Sequence, residues 1–215
     1  MHTETTRGRP LTTGGRPGST ARSNRSWIRP AAFWFTTLVI TSELFAGAAW
    51  NLLTIDWVDD QLDHLGYPDH FAQVLGVCQF AAAVAILVPG FRLLKEWAYA
   101  GVFFLWSGAV VSHLTLGDTA VSWGPPLMYL VFAVASWALR PADRRLRGTR
   151  LGRDGSADPG WDTAAGRPET GPRAWAVPVG IIVVLSALSF ATLPVAEDIT
   201  DGWAAERGWV DEQRP

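Results

Sequence analysis

The sequence predicts an all-α membrane protein: an antiparallel four-helix transmembrane bundle followed by a tethered fifth transmembrane helix. Three observations carry this. First, five apolar stretches run from Ala31 to Leu53, Phe71 to Val88, Trp97 to Gly117, Trp123 to Leu139 and Ala174 to Pro194. Glu43 and His113 are their only ionisable side chains besides Cys78 and the tyrosines. Second, the basic residues alternate with the spans. Third, tryptophans collect at span ends, where the indole ring meets acyl chain and its N–H meets water.

Hydrophobic content of 48% in 215 residues leaves a soluble domain open on composition alone. Spacing decides against it. Soluble helices bury one apolar stripe, whereas these stretches are apolar all round, and about 20 such residues cross ~30 Å of hydrocarbon.

Charge sets the expected orientation. Residues 1–30 hold six arginines against Glu4, residues 54–70 hold five aspartates and no Lys or Arg, and residues 140–173 hold eight arginines against five acids. With the Arg92–Lys95 segment, sixteen of eighteen basic residues fall on one side if all five spans cross. Positive loops stay in the cytoplasm, so the amino terminus is expected inside and the carboxyl terminus outside, in the cell membrane. Trp34, Trp97, Trp137 and Trp175 then mark inner ends, and Trp50, Trp57 and Trp123 outer ends. Arginines followed by an apolar run and Ala46-Gly47-Ala48 imitate a secretory signal, but the long charged lead and Glu43 argue that it is not cleaved.

The expected organisation has five parts: a disordered basic tail over 1–30, the bundle over 31–140, a flexible cytoplasmic linker over 141–173, a fifth helix over 174–194 and an acidic external tail over 195–215. Gly76, Gly101, Gly108 and runs of alanine invite close helix approach.

Chemistry must lie in the few polar groups within the membrane. At ~1.5 Å rise per residue, Glu43 lies ~18 Å from the inner face, Gln79 ~16 Å and His113 ~24 Å. Glu43 and Gln79 are thus expected at one level, with the Gln79 amide as partner to a buried Glu43 carboxyl. Glu43, Gly47 and Asn51 share a face at i, i+4 and i+8. This strip reads either as a ligand or proton site or as a buried hydrogen-bond clamp. His113 reads either as a proton carrier or quinone contact, or as the cap of its own helix.

Asp60 and His64 have i, i+4 spacing suited to a divalent ion, although exposed acids more often keep a loop soluble, and no metal site is expected. Cys78, the single cysteine, excludes an intramolecular disulfide or a two-cysteine redox pair. No phosphate loop, zinc signature or nucleophile elbow is present, so independent catalysis is not expected, nor is a nucleic-acid partner.

The run His64-Leu-Gly-Tyr-Pro-Asp-His-Phe71, with Leu94-Lys-Glu-Trp-Ala-Tyr-Ala-Gly101, Ser112-His113, Gly117-Asp118 and Ser136-Trp137-Ala-Leu-Arg140-Pro141, resembles the DoxX-like family over about residues 31–145. The resemblance implies a four-helix membrane bundle with both ends cytoplasmic. It also implies a place beside thiosulfate:quinone oxidoreduction or in membrane complexes of oxidative-stress and thiol defence. Relatives with these motifs carry Lys in place of Gln79 and Asp or Asn in place of Leu105, so a charge-dependent mechanism is not implied for this chain.

The expected function is a non-catalytic membrane component of a redox or oxidative-stress assembly. A quinone- or lipid-sized cleft would be lined by Glu43, Gln79, His113 and Asn51, with Trp106 as its apolar wall. Quinone is the candidate cofactor, and the partners are the bilayer and membrane or cytoplasmic redox proteins. A small proton-coupled carrier and a scaffold that recruits partners through the fifth span are the alternatives.

Overall fold

The structure, a computed structural model, describes residues 27–141, 172–200 and 202–209. The basic amino-terminal segment and nearly all of the expected linker lie outside the described residues. The helices in chain order are α1 (Ile28–Leu53), α2 (Asp56–His64), α3 (His70–Leu87), α4 (Arg92–Leu116), α5 (Ala120–Leu139), α6 (Pro172–Ala191), α7 (Leu193–Thr200) and α8 (Trp203–Glu206).

Four of these are long and apolar enough to cross a membrane: α1, α3, α4 and α5. In lipid every backbone polar group must be paired within the segment, which is why these stretches are unbroken helices. Short turns make them antiparallel neighbours. Gly90 (φ +81°) and Phe91 (φ 40°) reverse the chain between α3 and α4, and Gly117 (φ +79°) between α4 and α5. The helices form a ring in the order α1, α3, α4, α5, with α1 packed on both α3 and α5. Ile40, Leu44, Ala83, Ile86, Val102 and Trp106 fill its centre. Large apolar side chains such as Phe35, Phe80, Phe104 and Val131 face outward, as a lipid-facing surface requires.

The fifth apolar stretch forms α6, packed against α1 and α3 outside the ring. It passes into the helices beyond it with a bend of 46°, the geometry of a broken span or of a re-entrant loop. Much of the segment 195–215, expected as an acidic external tail, lies in α7 and α8, which return onto α2.

The aspartate-rich segment is likewise the helix α2 rather than an open loop. Val58 and Leu62, one turn apart, join Ile55 in a small core with Ala49, Ala72 and Leu193. The aspartates take the other face. Burial and mutual repulsion push the Asp59 and Asp60 carboxyls above their ordinary range. We call this extremity the α2 end and the opposite one the Arg140 end.

At the Arg140 end the structure corrects a sequence expectation. Lys95, counted as a loop charge, begins α4 and is 1% exposed. Its Nζ donates to the carbonyl oxygens of Ala85 (2.9 Å), Ile86 (2.7 Å) and Val88. These are acceptors that the end of α3 leaves unpaired, at the negative end of its dipole. The next residue, Glu96, ties α4 to α5: its carboxylate accepts from Trp137 Nε1 at 2.9 Å and from Arg140 Nη2 at 3.0 Å. Tyr99 and Thr37 both hydrogen-bond the Ser136 hydroxyl at 2.8 Å. The two motifs around Lys95 and Ser136 are therefore one polar clasp that joins α1, α3, α4 and α5.

Candidate functional site

The α2 end holds a second polar cluster, and this one borders a cavity. Tyr67, in the α2–α3 turn, and Ser112 share a hydrogen bond of 3.0 Å between their hydroxyls. His113, on the last turns of α4 and 1% exposed, donates from Nδ1 to Asp118 Oδ2 at 2.6 Å. His64, at the end of α2, donates from Nε2 to Asp118 Oδ1 at 3.1 Å. A carboxylate only accepts, so Asp118 places the His113 proton on Nδ1 and leaves Nε2 as an acceptor. Gln61 Nε2 donates to that nitrogen at 3.3 Å. Burial pushes the Asp118 carboxyl up, but hydrogen bonds from His113 and His64 outweigh it and hold the group below its ordinary range.

The cavity has a volume of about 270 Å³ and lies between α1, α2, α3 and α4. Asn51, Gln61, Gln79 and His113 supply its polar wall, and Leu75, Leu105 and Trp106 much of its apolar one. Asn51 Nδ2 donates to the Gly47 carbonyl at 2.7 Å and to Gln79 Oε1 at 3.1 Å. A Cβ on Gly47 would lie 3.0 Å from Gln79 Nε2, so the glycine makes room for that amide. A pocket of apolar walls with a few convergent polar groups is the common form of a small-molecule site.

Four of the five residues singled out from sequence, Asn51, Gln79, Trp106 and His113, meet at this cavity. Glu43 does not line it. The Tyr129 phenol lies beside the Glu43 carboxyl, and the Tyr129 ring stacks on Trp106 at 5.4 Å. Glu43 thus stands behind the Trp106 wall, with a phenol from α5 as its partner where the Gln79 amide was expected. Gln79 lies about one turn nearer the α2 end than Glu43, where the two were expected at one level. Gln79 is level with Gly47 and Asn51.

Sequence reasoning missed Gln61, which the hypothesis of an open acidic loop hid, and Tyr129, which carried no signal of its partner. It also left Asp118 as a turn residue. His64 is bonded to Asp118 across the α2–α4 gap, and among the described residues no group of three or more His, Cys, Asp or Glu is arranged to hold a metal ion.

The returning chain covers this cluster. Trp209 stacks on His64 (centroids 4.9 Å, planes 15° apart), on His113 (5.7 Å, 19°) and on Trp57 of α2 (4.9 Å, 26°). The Arg207 guanidinium lies over the Trp57 ring at 4.7 Å and over Trp203 at 5.0 Å, a cation–π pairing that fixes α8 on α2.

Residues 35–136 match the model of the DoxX-like family. The four-helix unit is a DoxX-like bundle. No curated protein and no solved structure matches the chain. The matched segment contains Asn51, Gln61, Gln79, His113 and Asp118, so the cavity belongs to the DoxX-like bundle. Helices α6 to α8 and Trp209, which stacks on His64 and His113, lie beyond the match.

Proposed function

We propose that this protein is a non-catalytic membrane component of a redox or oxidative-stress assembly, and that its DoxX-like bundle holds the head group of a quinone-class molecule in the cavity at the α2 end. One observation carries the reading. His113, its Nδ1 proton committed to Asp118, is the wall residue of an otherwise largely apolar cavity in which Asn51, Gln61 and Gln79 add amide groups. A quinol hydroxyl would take the place of the Gln61 amide, 3.3 Å from His113 Nε2, and donate to that nitrogen, and amides donate to a quinone carbonyl. The cavity volume of about 270 Å³ suits a head group rather than a whole lipid. Glu43 acts at one remove, by holding Tyr129 against Trp106.

The same reading places the α2 end outside the cell membrane and the Arg140 end in the cytoplasm, because the arginine-rich segments 1–30 and 140–173 adjoin the Arg140 end. Membrane redox proteins would then exchange electrons with the bound molecule.

The test is to purify the full chain in native lipid discs and identify co-purifying small molecules by mass spectrometry. A quinone-class molecule should be present in the wild type and reduced in Gln79→Leu, with a smaller loss in Glu43→Gln. Discs that carry only bulk lipid, in the same proportions for all three proteins, would overturn the head-group assignment.

A further inference from the structure

A second depression runs along the outside of the bundle between α3 and α4, with a volume of about 450 Å³. Its floor is made by small residues, among them Ala82 and Ala85 of α3 and Ala98 and Gly101 of α4. From Leu94 to Leu105 it follows about 16 Å of helix, at ~1.5 Å per residue. Its walls are apolar except at one place, Gln79. Gln79, Leu75 and Leu105 also line the polar cavity, so the groove and the cavity share a wall and meet there.

The approach from the α2 end is covered. Val58, Gln61, Leu62 and Leu65 of α2 and its turn lie across the α2 end, and Trp209 is stacked over His113 and His64 beyond them. An aqueous solute would have to displace a helix and the Arg207-held aromatic stack. A lipid-soluble molecule meets only the shared wall of three side chains.

We propose that the α3–α4 groove is the lateral entrance to the cavity and the seat of its ligand's apolar tail. The ligand is then an amphiphile with a compact hydrogen-bonding head and a long hydrocarbon chain, and it arrives from the bilayer. The head passes Gln79 to reach Asn51, Gln61 and His113, and the chain remains between α3 and α4. This deepens the head-group reading above and rests on it. It adds a reason for the small residues of the groove: they keep it open.

Two features of the protein make the route testable. Cys78 is the single cysteine of the chain, is exposed, and lines the groove, so alkylation reports on groove occupancy at one site. A Cβ added at Gly101 meets nothing within 4 Å, so a larger side chain there starts in open space and extends into the groove. The full chain in phosphatidylcholine discs is given a dimethoxy-dimethyl benzoquinone, whose ring has no open position for a thiol to attack, or the same ring with a decyl chain in place of one methyl group. A lipid-soluble maleimide then labels Cys78, read by intact mass, and binding of each probe is measured by equilibrium partition.

The decyl probe should bind more tightly than the bare head group and slow alkylation of Cys78, while the bare head group leaves alkylation unchanged. Gly101→Leu, and independently Ala81→Leu on the facing wall, should weaken the decyl probe by about tenfold or more, the loss of burial for about two methylene groups. Binding of the bare head group should be unaffected by either. Equal binding of both probes, with Cys78 unprotected and both variants silent, would overturn the groove as tail seat while leaving the head-group site standing. No binding of either probe to the wild type would overturn the head-group reading and the route together.

Discussion

Asp118→Asn separates charge from shape at the α2 end. The carboxylate accepts from His113 Nδ1 at 2.6 Å and from His64 Nε2 at 3.1 Å. Asparagine keeps the outline and one acceptor, but its amide nitrogen must face one of the two imidazole N–H groups, donor against donor. A hydrogen bond to a charged group contributes about 1.5–3 kcal/mol. The His113 side chain is 1% exposed and its bond holds that value, whereas His64 is 20% exposed and solvent screening leaves it about 0–1 kcal/mol. The substitution should therefore cost about 2–3 kcal/mol, or roughly 30- to 160-fold in the unfolding equilibrium constant.

The pH dependence has a definite sign. The folded carboxyl is held below its ordinary range. Its contribution is complete above the unfolded value of about 4 and is lost as pH falls through that range toward the lowered folded value. Equilibrium unfolding of both proteins in mixed dodecylmaltoside–dodecylsulfate micelles, followed by circular dichroism, measures the difference directly. The gap between wild type and variant should be widest near neutral pH and close as the carboxyl protonates. A variant as stable as the wild type at neutral pH, or a gap indifferent to pH, would refute the assignment of Asp118 as the charged hub.

A Cβ on Gly76 would lie 2.7 Å from Leu52 Cγ and 3.1 Å from the Ala48 carbonyl oxygen, so Gly76→Ala should destabilise the α1–α3 contact by about 1–3 kcal/mol in the same unfolding assay. Gly101→Ala, with nothing within 4 Å, should leave stability near the wild type and serves as the paired control. Lys95→Met removes the donor to three carbonyls at the end of α3 and should cost about 1–3 kcal/mol, with partial rescue by Lys95→Arg. Trp209→Ala takes away the ring stacked on His64 and His113. It should speed both protease cleavage after residue 195 and diethylpyrocarbonate modification of the two histidines, with unchanged rates indicating that the stack does not hold the chain down.

The sequence by itself determined the membrane bundle and most of the residues at its cavity. Hydrocarbon imposes a length and a composition on every span, so α1, α3, α4 and α5 were legible from apolar runs alone. Polar side chains are costly there, which is why scanning for exceptions found Asn51, Gln79 and His113 before any contact was known. The DoxX-like motifs were legible too, but not their division into a clasp around Glu96 and Arg140 and a cluster around Asp118.

Only the tertiary structure decided who pairs with whom. Tyr129 for Glu43, Gln61 for His113 and α3 carbonyls for Lys95 are meetings between helices, and no local pattern encodes the rotation of one helix against the next. Close approach was equally illegible. Gly76 touches α1 whereas Gly101 faces an open groove, although both read as the same small residue in an apolar span. The return of α7 and α8 onto α2 was hidden for a related reason: an acidic composition favours water, and it took three tryptophans and Arg207, brought together by the fold, to outweigh it.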